Sequence, residues 1–283
     1  MSTSSTGVLV LLGAPLGNPE DASPRVASEL MRADAIAAED TRRLRRLLKE
    51  LGVSTAAAIT SYFEGNESGR TESIIEQLRD GKRVALITDG GMPSVSDPGY
   101  RLVRAAIDAG VAVTAAPGAS AVTTALALSG LPCDRFSFEG FAPRKDGERR
   151  RLFASLAEER RTMVFFESPR RVADTLRAMA AAFGERRTAA LCRELTKTHE
   201  EVRRGGLGEL AAGTDHDPPR GEITLVVEGW SGPDPEDATP EALADAVARL
   251  EAAGTDRKAA MKEVAARFGV PRRTVYDALI DRG

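Results

Sequence analysis

Over residues 8–128, short apolar runs repeatedly give way to segments of helical period. Val8–Leu12 precedes Pro24–Met31, Ala35–Ala38 precedes Arg42–Leu51, Val84–Ile87 precedes Pro98–Ala109, and Val111–Ala116 precedes Ser120–Leu128. Strands this apolar need cover on both faces, and strand–helix alternation supplies it as βαβ units around a mainly parallel sheet. The punctuation agrees. Ser23-Pro24 reads as an N-cap with proline in the first turn, and Gly52, Gly81 and Gly110 stand where helices should stop.

A second series follows Pro132. It runs through Arg135–Phe138, a polar arginine-rich stretch over 142–151, Thr162–Phe166, a helix opened by Ser168-Pro169, Thr188–Cys192 and Glu222–Glu228. Consecutive short strands here predict a mixed sheet. The expected organisation is an N-terminal α/β domain over 1–117, a second α/β domain over 118–230, a linker at Ser231–Ala238 and a small all-α appendage over 239–283. The appendage reads as three short helices. Its last two, joined by Phe268-Gly269-Val270-Pro271, resemble a helix-turn-helix with Met261, Val264, Phe268, Val275 and Leu279 as its core. A packed appendage and a groove-reading module both fit, and the acidic first helix favours the former.

Bulk charge excludes little. With 39 Lys+Arg against 42 Asp+Glu in 283 residues, the net charge of −3 gives no general attraction to nucleic acid. Arginine nevertheless clusters at Arg42-Arg43, Arg45-Arg46, Arg149–Arg151, Arg170-Arg171, Arg203-Arg204 and Arg272-Arg273. Such forks suit phosphate, although an alanine- and arginine-rich composition produces them too. Cys133 and Cys192 form neither a disulfide framework nor a zinc pattern, and no signal-like start or bilayer-length apolar run occurs. A cytoplasmic protein without membrane contact is expected. With only His199 and His216, histidine-centred catalysis is poorly supplied.

Open α/β sheets bind ligands beyond the carboxyl ends of their strands. Three such ends here are Gly13-Ala14-Pro15-Leu16-Gly17-Asn18, the loop Asp89–Asp97 (DGGMPSVSD) and Ala116-Pro117-Gly118-Ala119-Ser120. Glycine lets backbone approach a ligand and proline stiffens the loop. Neither a P-loop nor a G-x-G-x-x-G occurs, so a phosphate cradle is not expected. Neutral backbone edges, small hydroxyls and apolar walls suit a nucleoside with a cationic or zwitterionic arm.

The motifs GAPLGNPED, AEDTRRLRRLL, TDGGMPSVSDPGYRLV, PGASAVTTALALSGL, FFESPRRV, CRELTKTHEE and RGEITLVV resemble, in order and approximate spacing, the tetrapyrrole-methylase-like superfamily. Within it they resemble the branch called ribosomal RNA small subunit methyltransferase I, over residues 8–229 and weakly through the tail. The resemblance implies two α/β domains with S-adenosylmethionine folded into the cleft between them, usually in a homodimer. It implies that Leu16, Gly91, Met92, Pro93, Val95 and Ser96 face that cofactor. Ser120, Ala121, Phe166 and Glu194 follow in the same role, with Gly221, Glu222 and Ile223. The implied activity is 2′-O-methylation of a cytidine in the decoding centre of 16S rRNA, with the RNA met within the small ribosomal subunit.

Methyl transfer from a sulfonium is an in-line displacement whose main demand is alignment, so no metal is expected. A ribose hydroxyl is a weak acid and calls for a base. The carboxylates in the motifs are Asp40, taken first, then Glu39, Glu67 and Asp89. Asp40 can equally serve as a helix N-terminal acid beside Arg42 or Arg43. Substrate positioning is expected from Pro15, Gly17, Asn18, Thr41, Arg42, Asn66, Glu67 and Arg170, the last from the helix opened by Ser168-Pro169. Where the branch reads Tyr-His-Glu-His-Asn-Glu, this chain has Tyr62-Phe63-Glu64-Gly65-Asn66-Glu67, which leaves no imidazole base there. Two rival readings remain at this point: carbon methylation of a tetrapyrrole, and a non-enzymatic DNA-binding regulator built on the C-terminal helices. Against the regulator, Arg272, Arg273 and Arg282 are balanced by Asp277 and Asp281.

Overall fold

The computed structural model describes residues 7–232 and 238–280. Most of the Ser231–Ala238 linker, together with Asp281 and Arg282, lies outside the described residues. Two five-stranded sheets organise the chain.

The first sheet runs β3 (Ala58–Ser61), β2 (Ala35–Ala38), β4 (Arg83–Ile87), β1 (Val8–Leu12), β5 (Ala112–Ala116), and every pairing in it is parallel. Alternate side chains of a strand point to opposite faces. Val10 and Leu12 therefore pack under α1 (Pro24–Arg32) and α2 (Thr41–Glu50) with Val26, Leu30, Leu44 and Leu48. Leu9, Val84 and Leu86 face the other way, toward Ile74, Ile75 and Leu78 of α3 (Glu67–Arg79) and Leu102 and Ala106 of α4 (Tyr100–Asp108).

The second sheet runs β6 (Phe136–Phe141), β7 (Thr162–Glu167), β10 (Ile223–Val227), β8 (Thr188–Arg193), β9 (Glu201–Gly206). Only β6 and β7 pair in parallel, so the sheet is mixed. One face carries Phe153, Leu176, Met179 and Leu207 from α6 (Asp146–Leu156), α7 (Val172–Phe183) and α8 (Leu207–His216). On the other, Val122, Ala125 and Leu126 of α5 (Ala121–Ser129) cover Val164, Ala190, Cys192 and Val226.

The tail is a three-helix appendage, α9 (Pro240–Ala252), α10 (Arg257–Phe268) and α11 (Arg272–Ile280), with its own core of Leu243, Val247, Met261, Val264, Phe268 and Val275. It rests on the body through Arg267, which pairs with Glu158 and lies 5.5 Å from the Trp230 ring centroid. Arg160 lies 5.7 Å from the same centroid.

One local expectation is corrected. Ser168-Pro169 does not open a helix: the Ser168 N–H donates to Glu167 Oε1 at 2.7 Å, and α7 begins at Val172. The polar stretch over 142–151 is largely helical, because α6 buries Phe153 completely and tucks Arg149 against Asp146 at 3.0 Å.

Candidate active site

Parallel pairing brings the carboxyl ends of β1, β2 and β4 to one edge, and their loops are welded there. Ala14 and Gly91 exchange backbone hydrogen bonds of 2.8 and 3.0 Å, tying the loop after β1 to the loop after β4. A Cβ on Gly13 would stand 2.4 Å from the Gly118 nitrogen, so the loop after β5 crosses the first at backbone contact. Only glycine allows that approach. Among the described residues, the non-glycine positions with left-handed backbone are Ser94, Ser96, Glu194 and Thr196. All lie in loops at this cleft, where strain of this kind concentrates.

Two adjoining cavities occupy the cleft. The inner one, about 480 Å³, is bounded by the Gly90–Asp97 loop on one side and by Phe166, Pro169 and Gly221–Thr224 of the second unit on the other. Its apolar wall includes Leu16, Met92, Val95, Phe141 and Phe166, the two rings meeting edge-on at 5.7 Å. The outer cavity, about 660 Å³, is lined by Pro15–Pro19, the start of α2 and Thr196–Thr198. Leu16, Glu39, Arg43, Asp89 and Glu222 line both.

Of the residues expected to face a cofactor, Leu16, Gly91, Met92, Val95 and Ser96 line the inner cavity. So do Ser120, Ala121, Phe166, Gly221, Glu222 and Ile223. Pro93 and Glu194 do not; Pro93 is buried beneath the loop, and Glu194 braces the wall by accepting the Glu222 N–H at 2.9 Å. Of the expected substrate residues, Pro15, Gly17 and Asn18 line the outer cavity, whereas Thr41, Arg42, Asn66 and Arg170 line neither. Asn66 folds back on Ser61, and Arg170 is exposed.

The carboxylates separate by environment. Asp40 caps α2: its Oδ1 accepts the Arg42 N–H at 2.8 Å, and the Arg42 guanidinium reaches its two oxygens at 3.1 and 2.8 Å. That guanidinium holds the Asp40 carboxyl far below the usual range, which makes it a poor proton acceptor. Glu67 stands off the cleft, paired with Arg101 at 2.8 Å. Glu39 differs. Its Oε2 accepts the Asp89 N–H at 3.1 Å, and burial, aided by the Asp89 charge, pushes its carboxyl upward. Burial raises Asp89 too, against the opposing charge of Arg43 at 3.4 Å.

Sequence reasoning missed Lys197 and Asp97. Lys197 crosses from the second unit: its Nζ bonds Glu194 at 2.9 Å and Glu222 at 3.0 Å, and its stem lies over Gly17, where a Cβ would meet Cγ at 2.1 Å. Beside it the Asn18 N–H donates to Thr196 Oγ1 at 3.2 Å. The motif CRELTKTHEE held the signal, but only the fold shows that it straps the two units together. Asp97 reaches the inner cavity from the far end of the Gly90–Asp97 loop, and burial pushes its carboxyl up to about 6, with the Glu39 charge adding to the effect.

Comparison with known proteins agrees with this architecture. Residues 8–211 match the family described as Tetrapyrrole (Corrin/Porphyrin) Methylases. A solved cobalt precorrin-4 methyltransferase superposes with a TM-score of 0.60 at 18% identity, over 80% of this chain and 95% of that one, a likeness of fold. A Mycobacterium tuberculosis (strain ATCC 25618 / H37Rv) protein named ribosomal RNA small subunit methyltransferase I is 51% identical, over 98% of this chain and 95% of its own. A protein of the same name from Halalkalibacterium halodurans is 42% identical, over 96% and 94%. The chain belongs to the ribosomal RNA small subunit methyltransferase I family, within the tetrapyrrole methylases.

Proposed function

We propose that this protein methylates the 2′-oxygen of a cytidine ribose in the decoding centre of 16S rRNA, with S-adenosylmethionine as donor. The observation that carries the reading is the pair of cavities meeting at Leu16, Glu39, Arg43, Asp89 and Glu222. Donor and acceptor of an in-line transfer need two compartments with one opening between them. The relatives' names supply the small-subunit RNA, and the motif resemblance supplies the cytidine 2′-oxygen.

The inner cavity fits the donor. Its size suits a nucleoside, its apolar side of Phe141, Phe166 and Val95 suits an adenine ring, and its acidic side suits a cation. Once bound, the donor supplies a methyl carbon whose bond to sulfur breaks, leaving the pair on sulfur, as the bond to the ribose oxygen forms. The chain's task is to align the hydroxyl and take its proton. Glu39 is the proton acceptor in this account, because it stands where the cavities meet with a carboxyl raised by burial. Asp40 shapes the start of α2 instead. Arg43, Arg46 and Lys197 on the outer wall receive RNA phosphates, which position the strand without reading its sequence.

A homodimer and a cytoplasmic site of action go with this reading. Among the described residues no helix is long and apolar enough to cross a membrane. The test is incubation with radiolabelled donor and small ribosomal subunits from a strain lacking its own enzyme, followed by nuclease mapping. Label on one cytidine ribose is expected; label only on uroporphyrinogen in a parallel incubation would move the substrate to tetrapyrroles.

A further inference from the structure

β3 is an edge strand of the first sheet, and the chain leaves it through Tyr62 and Phe63. Tyr62 is fully buried, whereas Phe63 stays 45% exposed, a large apolar ring left in water. The backbone that carries the ring is nevertheless fixed. The Phe63 N–H donates to Asn66 Oδ1 at 2.9 Å, and the Phe63 carbonyl accepts the Asn66 and Glu67 N–H groups, each at 2.9 Å. The Asn66 amide in turn donates to the Ser61 carbonyl at 3.2 Å. The ring lies over Gly65, where a Cβ would stand 2.7 Å from its Cε2. Phe63 and Gly65 are the two positions at which the branch reads histidine, so the two departures form one feature, a ring and the space that seats it.

That ring stands at the edge of the sheet where the cleft opens. β3 runs parallel to β2 with Ser61 opposite Ala38, and the Tyr62 N–H donates to the Ala38 carbonyl at 2.7 Å. Adjacent strands lie about 4.8 Å apart. Phe63 therefore leaves its strand beside Glu39-Asp40 and the start of α2, where the Arg42 and Arg43 side chains are 86% and 61% exposed. A protein-docking face presents a contiguous apolar patch. One ring among arginines suits single-stranded nucleic acid instead, with phosphate on guanidinium and a base on the ring. Building on the RNA-methylating reading of the cleft, we infer that Phe63 is a stacking platform for an unpaired base of the substrate RNA, outside the cavities, and that Gly65 and Asn66 position its ring. Every base has a π-face, so the platform holds the strand in register without reading its sequence.

Initial-rate methylation of small ribosomal subunits at saturating donor tests the platform. Phe63→Ala should raise the KM for subunits about tenfold while kcat stays within about twofold, the scale of one lost base stack. Phe63→Leu keeps apolar bulk without a π-face and should lose as much. Phe63→Tyr and Phe63→His keep a π-face and should recover most of the loss. Gly65→Ala, which disturbs only the seat of the ring, should raise KM severalfold. Isothermal titration of each variant with S-adenosylmethionine should give the affinity of the unaltered protein, which separates a lost platform from a damaged fold. An unchanged KM in Phe63→Ala, or a Phe63→Leu variant that matches the unaltered protein, would overturn the platform. So would a change of oligomeric state in Phe63→Ala on size exclusion, which would give the ring to a contact between two copies of the chain. Unaltered protein that neither labels nor retains subunits would instead remove the reading of the cleft on which the platform rests.

Discussion

At the scale of single residues, neighbouring acids do different work because their surroundings differ. Glu39→Gln keeps the shape but removes the proposed proton acceptor. Turnover at saturating donor should fall by about a hundredfold or more, with subunit binding retained. Asp40→Asn should turn over nearly normally, since asparagine caps a helix as well as aspartate does, while Asp40→Ala lowers the melting temperature. Parallel single-turnover and melting measurements on the three variants check both. Asp97 faces Glu39, Asp89 and Glu222, with Arg43 on the same wall, and burial sets it at about 6. It is neutral below that pH and charged above it. Affinity for the cationic donor should therefore grow as pH climbs through about 6, and Asp97→Asn should flatten that step in a titration series.

At the scale of elements, loops welded by backbone and a strap from the second unit hold the cleft. Gly17→Ala places a methyl where the Lys197 stem lies. The KM for ribosomal subunits should rise severalfold while the capping of α2, and with it the fold, is untouched; initial-rate kinetics and a melting curve read the two. Beneath the cleft, Phe165 is fully buried and meets Phe153 edge-on at 5.8 Å, so Phe165→Ala should cost about 3–5 kcal/mol in denaturant unfolding. The strands over the first sheet's centre were legible because they are apolar throughout: β1 and β2 have the bounds read from sequence. The pairs β3–α3 and β9–α8 were not. β3 is AITS, a partly exposed edge strand, and β9 is EVRRGG, whose arginines pair with Glu201, Asp217 and the chain around Leu128 and give no apolar period. The cofactor-side loops were legible from their glycines and prolines. Lys197 and Asp97 were not, because their meaning arises from contacts with residues far away in sequence, which no local pattern records.

At the scale of the molecule, a parallel sheet and a mixed sheet present their loops to one cleft, and a small helical appendage leans on the far side of the second. Trp230, between Arg160 and Arg267, forms part of that seat. Trp230→Ala should speed hydrogen exchange in α9–α11 while leaving β1–β5 protected, as expected when a cooperative unit loses its docking contacts. The central claim concerns what crosses between the two cavities. Its most direct test is to incubate the protein with radiolabelled S-adenosylmethionine and small ribosomal subunits lacking the modification, and to map the label after nuclease digestion. Label confined to the ribose of one decoding-centre cytidine, and lost with Glu39→Gln, is the predicted result. Label on a base, or none on subunits or free 16S rRNA despite tight donor binding, would contradict the account.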